Sequence, residues 1–174
     1  MKIPQTRYRV PGFYGDNNWH IVNRPEQFPF STTNPLSTIT ADLNNQWVLA
    51  DESIDSSIID LAGDDYIVVK SNSNYHVGSG IAVMYVNFSS NEDVVFKIMN
   101  RGENNYDYPT VTLSDGSSSE VLYNNKQNTK TFTQFTVTSP MGKQLIVNYR
   151  KDSSVNTDLD RAFLAIPNTA QIIN

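Results

Sequence analysis

The stretch GIAVMYVNFSSNEDVVFKIMN, Gly80 to Asn100, decides the fold. It opens with two interleaved apolar sets: Ile81, Val83 and Tyr85 in one phase, and Ala82, Met84, Val86 and Phe88 in the other. Side chains of an extended chain alternate between faces, so a run that is apolar in both phases predicts a central strand buried on both sides. The polar residues SSNED follow. DVVFKIMN then sets Val94, Phe96 and Ile98 on one face. Two extended runs joined by so short a polar segment read as a hairpin.

Working outward, the same pattern repeats. Downstream lie TVTL (110–113), EVLY (120–123), KTFTQFTVTS (130–139) and QLIVNYR (144–150), with SDGSSS and NNKQN between them as turns. In QLIVNYR the alternation points Leu145, Val147 and Tyr149 inward, and AFLAI (162–166) reads as the last strand. Upstream, WVLA (47–50), SIIDL (57–61) and DYIVVK (65–70) read as further strands, although 51–62 has room for a helical turn. No segment sustains a 3.6-residue period over ten positions. Many short strands with Gly, Asn and Ser turns predict an all-β, antiparallel β-sandwich of jelly-roll type. The expected core includes Val83, Tyr85, Phe96, Ile98, Val147 and Tyr149.

The 174 residues suit one domain, or one domain with an appendage. Charged residues make up only 18% and apolar residues 39%, with Asn, Ser and Thr filling the difference, as turn-rich β proteins require. A net charge of −5 and the lack of any basic run argue against a nucleic-acid partner. No apolar run reaches the roughly 18 residues of a membrane span, so no membrane insertion is expected. The absence of cysteine removes disulfides, thiolate zinc sites and cysteine nucleophiles. MKIPQTRYRVPGF lacks the apolar core of a secretory signal peptide, and synthesis in a host cytoplasm is the expectation.

Five of the eight prolines fall in the first 35 residues: Pro4, Pro11, Pro25, Pro29 and Pro35. Each removes a donor and biases its predecessor to extended geometry. Residues 1–35 are therefore expected to be an extended N-terminal arm, with the sandwich spanning 36–174. The arm is too aromatic for a solvated tail, and VPGFYGDNNWH (10–20) offers Phe13, Tyr14 and Trp19 as contacts. Such rings need something to pack on. A homo-oligomer is expected, with a trimer favoured over a dimer by analogy with virion fibres.

DYIVVK, GIAVMYVNF, DVVFKIMNRGENNYDY, TKTFTQFTVTSPMGKQLIVNYRKDSS and LDRAFLAI together resemble the galactose-binding-like jelly roll of many carbohydrate-binding modules. The resemblance spans about residues 60–167 and rests on strand order. The tryptophan usual before the TFT strand is absent, and Phe132 and Phe135 stand nearby instead. The resemblance implies a sandwich and a capacity for sugars, and it carries over no binding residue.

RGENNYDYP (101–109) is the strongest site candidate. It carries Arg101, Glu103, Asn104, Asn105, Tyr106, Asp107 and Tyr108, a mixture of ring faces and planar polar groups that suits sugars, with Asn104, Asn105, Tyr106 and Tyr108 as the nominated contacts and SNSNYH (71–76) as a stretch that can join them. Its plain alternative is two tyrosines capping the sandwich beside turn-forming amides. The acidic residues Asp51, Glu52, Asp55, Asp60, Asp64 and Asp65 match no calcium-loop spacing and read as a solvated loop, with structural Ca²⁺ as the weighed alternative there and at Asp158 and Asp160. No cofactor is implied. His20 and His76 are the only histidines, and neither sits in a recognisable zinc or hydrolase motif. No catalytic residue is nominated. The sequence points to a non-enzymatic structural or attachment protein of a virus particle, such as a bacteriophage head, tail-fibre or decoration protein. Its partners would be other virion proteins and host-surface glycans. The alternative is a carbohydrate-binding module of a larger glycan-degrading system.

Overall fold

The structure is a computed structural model and describes residues 7–8, 20–21, 37–76 and 78–174. β1 (Arg7–Tyr8) and β2 (His20–Ile21) form a short antiparallel ladder of their own. The arm contacts Phe13, Tyr14 and Trp19 lie outside the described residues.

Residues 37–174 carry the sandwich. In chain order its elements are β3 (Ile39–Asp42), β4 (Trp47–Leu49), α1 (Ser56–Ala62), β5 (Tyr66–Ser71), a 3-10 turn (Ser73–Tyr75), β6 (Gly80–Phe88), β7 (Val94–Arg101), β8 (Tyr108–Ser114), β9 (Ser119–Tyr123), β10 (Thr133–Val137), β11 (Gln144–Lys151), β12 (Arg161–Pro167) and β13 (Gln171–Ile173). One sheet has the order β13-β3-β6-β11-β8-β9 and the other β10-β7-β12-β5-β4. Every pairing is antiparallel except β13 with β3. The protein is thus an all-β, largely antiparallel sandwich, as the alternation predicts.

Between the sheets lies the main core, with Met84, Val86, Phe96, Ile98, Leu145, Val147, Tyr149 and Leu164 fully buried. Phe135 stacks on Phe96 at 5.5 Å between ring centres, and Phe88 meets Phe96 edge-on at 6.2 Å. A second apolar layer covers the outer face of the five-stranded sheet. There Ile58 and Ala62 of α1 pack on Val68, Met99, Phe163 and Ala165.

Four expectations are corrected. Val83 and Tyr85 are not core residues but sit half-buried on the outer face of the six-stranded sheet, while Ala82, Met84 and Val86 point inward. β6 carries apolar side chains in both phases, and only one phase meets the other sheet. SSNED does not close a hairpin: β6 pairs with β3 and β11, β7 pairs with β10 and β12, and the segment crosses between sheets. SIIDL is helical, because Ile58 and Ala62, four apart, both reach the sheet below. AFLAI forms β12 but is not the last strand. β13 follows it and adds to the edge of the six-stranded sheet.

Strand direction gives the sandwich two distinct ends. Ile39 pairs with Phe88, and Ser89 donates to the Thr38 carbonyl at 2.9 Å, so the described chain joins the sandwich beside the 89–93 crossover. β7 finishes, β8 begins and β11 finishes at the opposite end, where residues 72–76 and 78–79 and the 102–107, 124–132 and 152–160 loops lie.

Candidate functional site

Polar residues occupy inward strand positions at that loop end. β7 buries Val94, Phe96 and Ile98, and the same phase then reaches Asn100, which is fully buried. β11 buries Leu145, Val147 and Tyr149, and the same phase reaches Lys151. β8 buries Pro109, Val111 and Leu113, and reading that phase backward reaches Asp107. Neighbouring strands therefore converge on one polar plug inside the sandwich.

Asn100 ties the loops together. Its amide Nδ2 donates to the Asp107 carbonyl at 3.0 Å and the Gln127 carbonyl at 3.1 Å, and its Oδ1 accepts from Gly102 N at 3.0 Å. Asp107 Oδ1 accepts from Asp152 N at 2.9 Å, while its Oδ2 lies 3.5 Å from Lys151 Nζ. Lys151 Nζ is also 3.0 Å from Asp160 Oδ2. Burial raises the Asp107 carboxyl above the usual range, with Asp160 adding to the rise and the Asp152 N–H and Lys151 opposing it. Burial alone would lower the Lys151 ammonium, but Asp160 and Asp107 together outweigh it and hold it above the ordinary lysine value. The lysine is therefore charged inside the protein.

At the edge of this network, Asp158 forms a two-pronged ion pair with Arg101, and Asn128 Nδ2 also donates to it. The Arg101 side chain holds the Asp158 carboxyl below its usual range. Asp160 N donates to the Arg101 carbonyl at 2.7 Å, which stitches the 152–160 loop to β7.

Beside the plug lies a cavity of about 210 Å³ lined chiefly by Ser73, His76, Lys151, Leu159, Asp160 and Arg161. Arg161 is held by the Ser71 carbonyl at 2.9 Å and Ser73 Oγ at 3.0 Å. His76 is 1% exposed and its ring stands edge-on to Tyr149 at 4.9 Å. Burial, and then the charges of Arg161 and Lys151, lower its pKa to about 4, so the imidazole is neutral at physiological pH. His76 Nε2 and Asp160 Oδ1 are buried without a hydrogen bond, whereas Lys151 Nζ is answered by its ion pairs with Asp160 and Asp107.

The nominated loop residues sit next to this network. Asn104 Oδ1 accepts from Asn128 N at 2.6 Å, and Asn105 Oδ1 accepts from Gln127 Nε2 at 3.0 Å. Both amide oxygens thus fasten the 102–107 loop to the 124–132 loop. Tyr106 is 54% exposed, and Tyr108 is half-buried with Lys126 Nζ 4.9 Å above its ring. The loop is therefore a braced platform with one ring free at its tip.

The nominated acidic residues disperse. Asp55 is buried against Lys70 at 2.6 Å, and Asp51 accepts from Ser53 at the open surface. The carboxylates that do meet are Glu103, Asp107 and Asp152, with one oxygen of each lying within 4.8 Å of the others. Their positive partner is already present, because Lys151 faces Asp107, and the single Ser154 hydroxyl proton is shared between Glu103 Oε2 and Asp152 Oδ1. Asp158 and Asp160, weighed for Ca²⁺, are engaged with Arg101 and Lys151.

Sequence reasoning placed Asp107 in the candidate loop and let the stretch that holds His76 join it, but it missed Lys151 and Arg161 and the grouping of the four. For two of them a signal existed, since Lys151 and Asp107 fall in the inward phase of their strands. Searched against protein-family models, the chain matches none, and no curated protein is significantly similar to it. The two-sheet shape agrees in general with a β-sandwich. What the fold and site define is a class: an antiparallel sandwich with a charge-balanced, cross-braced loop end.

Proposed function

We propose that this chain is a non-enzymatic structural and attachment protein of a virus particle, such as a bacteriophage, held through residues 1–35 and displaying the sandwich toward host-surface glycans. The observation that supports this reading is the polarity of the sandwich. The chain joins it beside the 89–93 crossover, and the braced loops lie at the opposite end. A domain held from its N-terminal side thereby presents the loop end outward. Loops already bonded to one another lose little further freedom when a ligand arrives, which favours binding. Tyr106 supplies an exposed ring for the C–H face of a sugar.

In this reading the aromatic residues Phe13, Tyr14 and Trp19 contact copies of the chain or other virion proteins. Electron microscopy of particles assembled with and without the protein tests the structural role, and is expected to show an appendage or surface density that disappears in its absence. A broad glycan array tests the display role. Binding that weakens in Tyr106→Ala with an unchanged melting temperature is the expected result. Particles identical with and without the protein would sink the reading.

A further inference from the structure

We propose that Lys151 and Asp107 join in an amide cross-link, a self-made isopeptide bond between the end of β11 and the residue before β8. The bond does not depend on the display reading, and it forms once per chain, without turnover. Register brings the partners together. Arg150 pairs with Tyr108, so the next residue of β11, Lys151, stands opposite Asp107. Both side chains face inward, 3% and 0% exposed, and Lys151 Nζ lies 3.5 Å from Asp107 Oδ2. Holding two reactants in such a geometry makes their condensation effectively unimolecular and removes much of its entropic barrier. A third group completes the set, because Asp160 Oδ2 lies 3.0 Å from the same nitrogen. The other buried lysine pair lacks that group: among the described residues Lys70 meets Asp55 alone.

Each atom then has a part. Asp107 is the electrophile in its protonated form, which burial favours. Lys151 starts as an ammonium and passes one proton to Asp160 Oδ2. The freed lone pair of Nζ attacks Asp107 Cγ and forms the C–N bond. Negative charge gathers on Asp107 Oδ1, which already accepts the Asp152 N–H at 2.9 Å, and a donor placed in advance at that oxygen stabilises it. Asp160 returns its proton to the Oδ2 hydroxyl and takes a second one from the nitrogen. The Cγ–Oδ2 bond breaks, water leaves, and an amide with one N–H remains while Asp160 ends protonated. One positive and one negative charge vanish from the interior together, and with them the cost of keeping them out of water.

The test weighs the folded full chain by intact mass spectrometry and maps it with trypsin. The wild type is expected to be lighter than its sequence by one water. Cleavage after Lys151 is then lost, and a branched peptide joins residues 102–126 to residues 151–161. Lys151→Met and Asp107→Ala should each keep the full mass of their own sequence. Asp160→Asn should leave most of the purified chain unjoined, because no carboxylate takes the ammonium proton. A folded wild-type chain that keeps its full mass and yields 102–126 and 152–161 as separate peptides overturns the proposal, even if none of the variants folds. A water lost within 102–126 alone, as a succinimide at Asp115–Gly116 would give, overturns it as well. A fully joined Asp160→Asn chain would overturn the route through Asp160.

Discussion

At the loop end, the inward phases of β7, β8 and β11 hold Asn100, Asp107 and Lys151. At the opposite end the same phases hold Val94, Leu113 and Leu145. The opposite end has apolar side chains inside, and the bonds between its loops, Ser139 N to Asp93 Oδ1 at 3.3 Å and Met141 N to Asn91 Oδ1 at 3.2 Å, stay at the exposed surface. Asp115 there accepts from Ser117 N and Ser118 N within its own turn, at the open surface. At the loop end the hydrogen bonds run between loops far apart in sequence, and a lysine is buried with two carboxylates. Burying charge is costly unless it is paired, and a paired group often stabilises no better than an apolar one. A network kept on those terms at only one end points to specificity and a fixed surface as its use.

The largest expected effect breaks that network. Asp107→Ala leaves Lys151 with one partner in a buried place and should cost about 3–5 kcal/mol in denaturant melts. Asp115→Ala, at the other end and fully exposed, should shift the melt far less. Equal losses would mean that the two ends are not energetically distinct.

Backbone closeness gives the next contrast. A Cβ on Gly102 would meet the Tyr149 hydroxyl, the Asp107 carbonyl oxygen at 2.8 Å and Asp107 Cβ at 2.9 Å. Gly102→Ala should therefore lose about 1–3 kcal/mol from overpacking. Gly116, in the opposite end's turn, has nothing within 4 Å but a φ of +91°. Its alanine variant should suffer from backbone strain alone, and the 124–132 loop amides should keep their exchange protection, which Gly102→Ala is expected to lower.

Acid should act on the loop end through His76. Its folded pKa of about 4 lies below the unfolded 6.5, so the associated stability is fully present above pH 6.5 and is lost as pH falls toward 4. After discounting for solvent screening, the loss should be about 1–2 kcal/mol. His76→Gln should flatten that part of the stability profile. A wild-type profile with no fall between pH 6.5 and 4 would contradict the buried, neutral imidazole.

Phe96, Ile98, Val147 and Tyr149 were legible in the sequence because one phase of each strand is apolar and the other is mixed. Val83 and Tyr85 were not, since β6 is apolar in both phases and sequence cannot say which phase meets the second sheet. SIIDL misled because a short apolar run fits a strand as well as two turns of helix. The pairs Lys70–Asp55, Lys151–Asp107 and Arg101–Asp158 join residues separated by 15, 44 and 57 positions, distances that carry no periodic signature. The inward phase of Lys151 did carry one. A lysine closing the series Leu145, Val147, Tyr149 is a charge pointed at the core, and it calls for a partner.

The central claim is that residues 1–35 anchor while the sandwich displays. Its most direct measurement compares the full chain with residues 36–174 by analytical sedimentation and circular dichroism. The account predicts that the truncated chain keeps a β-sheet spectrum and a cooperative melt, sediments as a monomer and no longer joins the particle, while the full chain sediments as a homo-oligomer. A truncated chain that unfolds would make the first 35 residues part of the core. One that keeps the full chain's sedimentation and still docks would contradict the account outright.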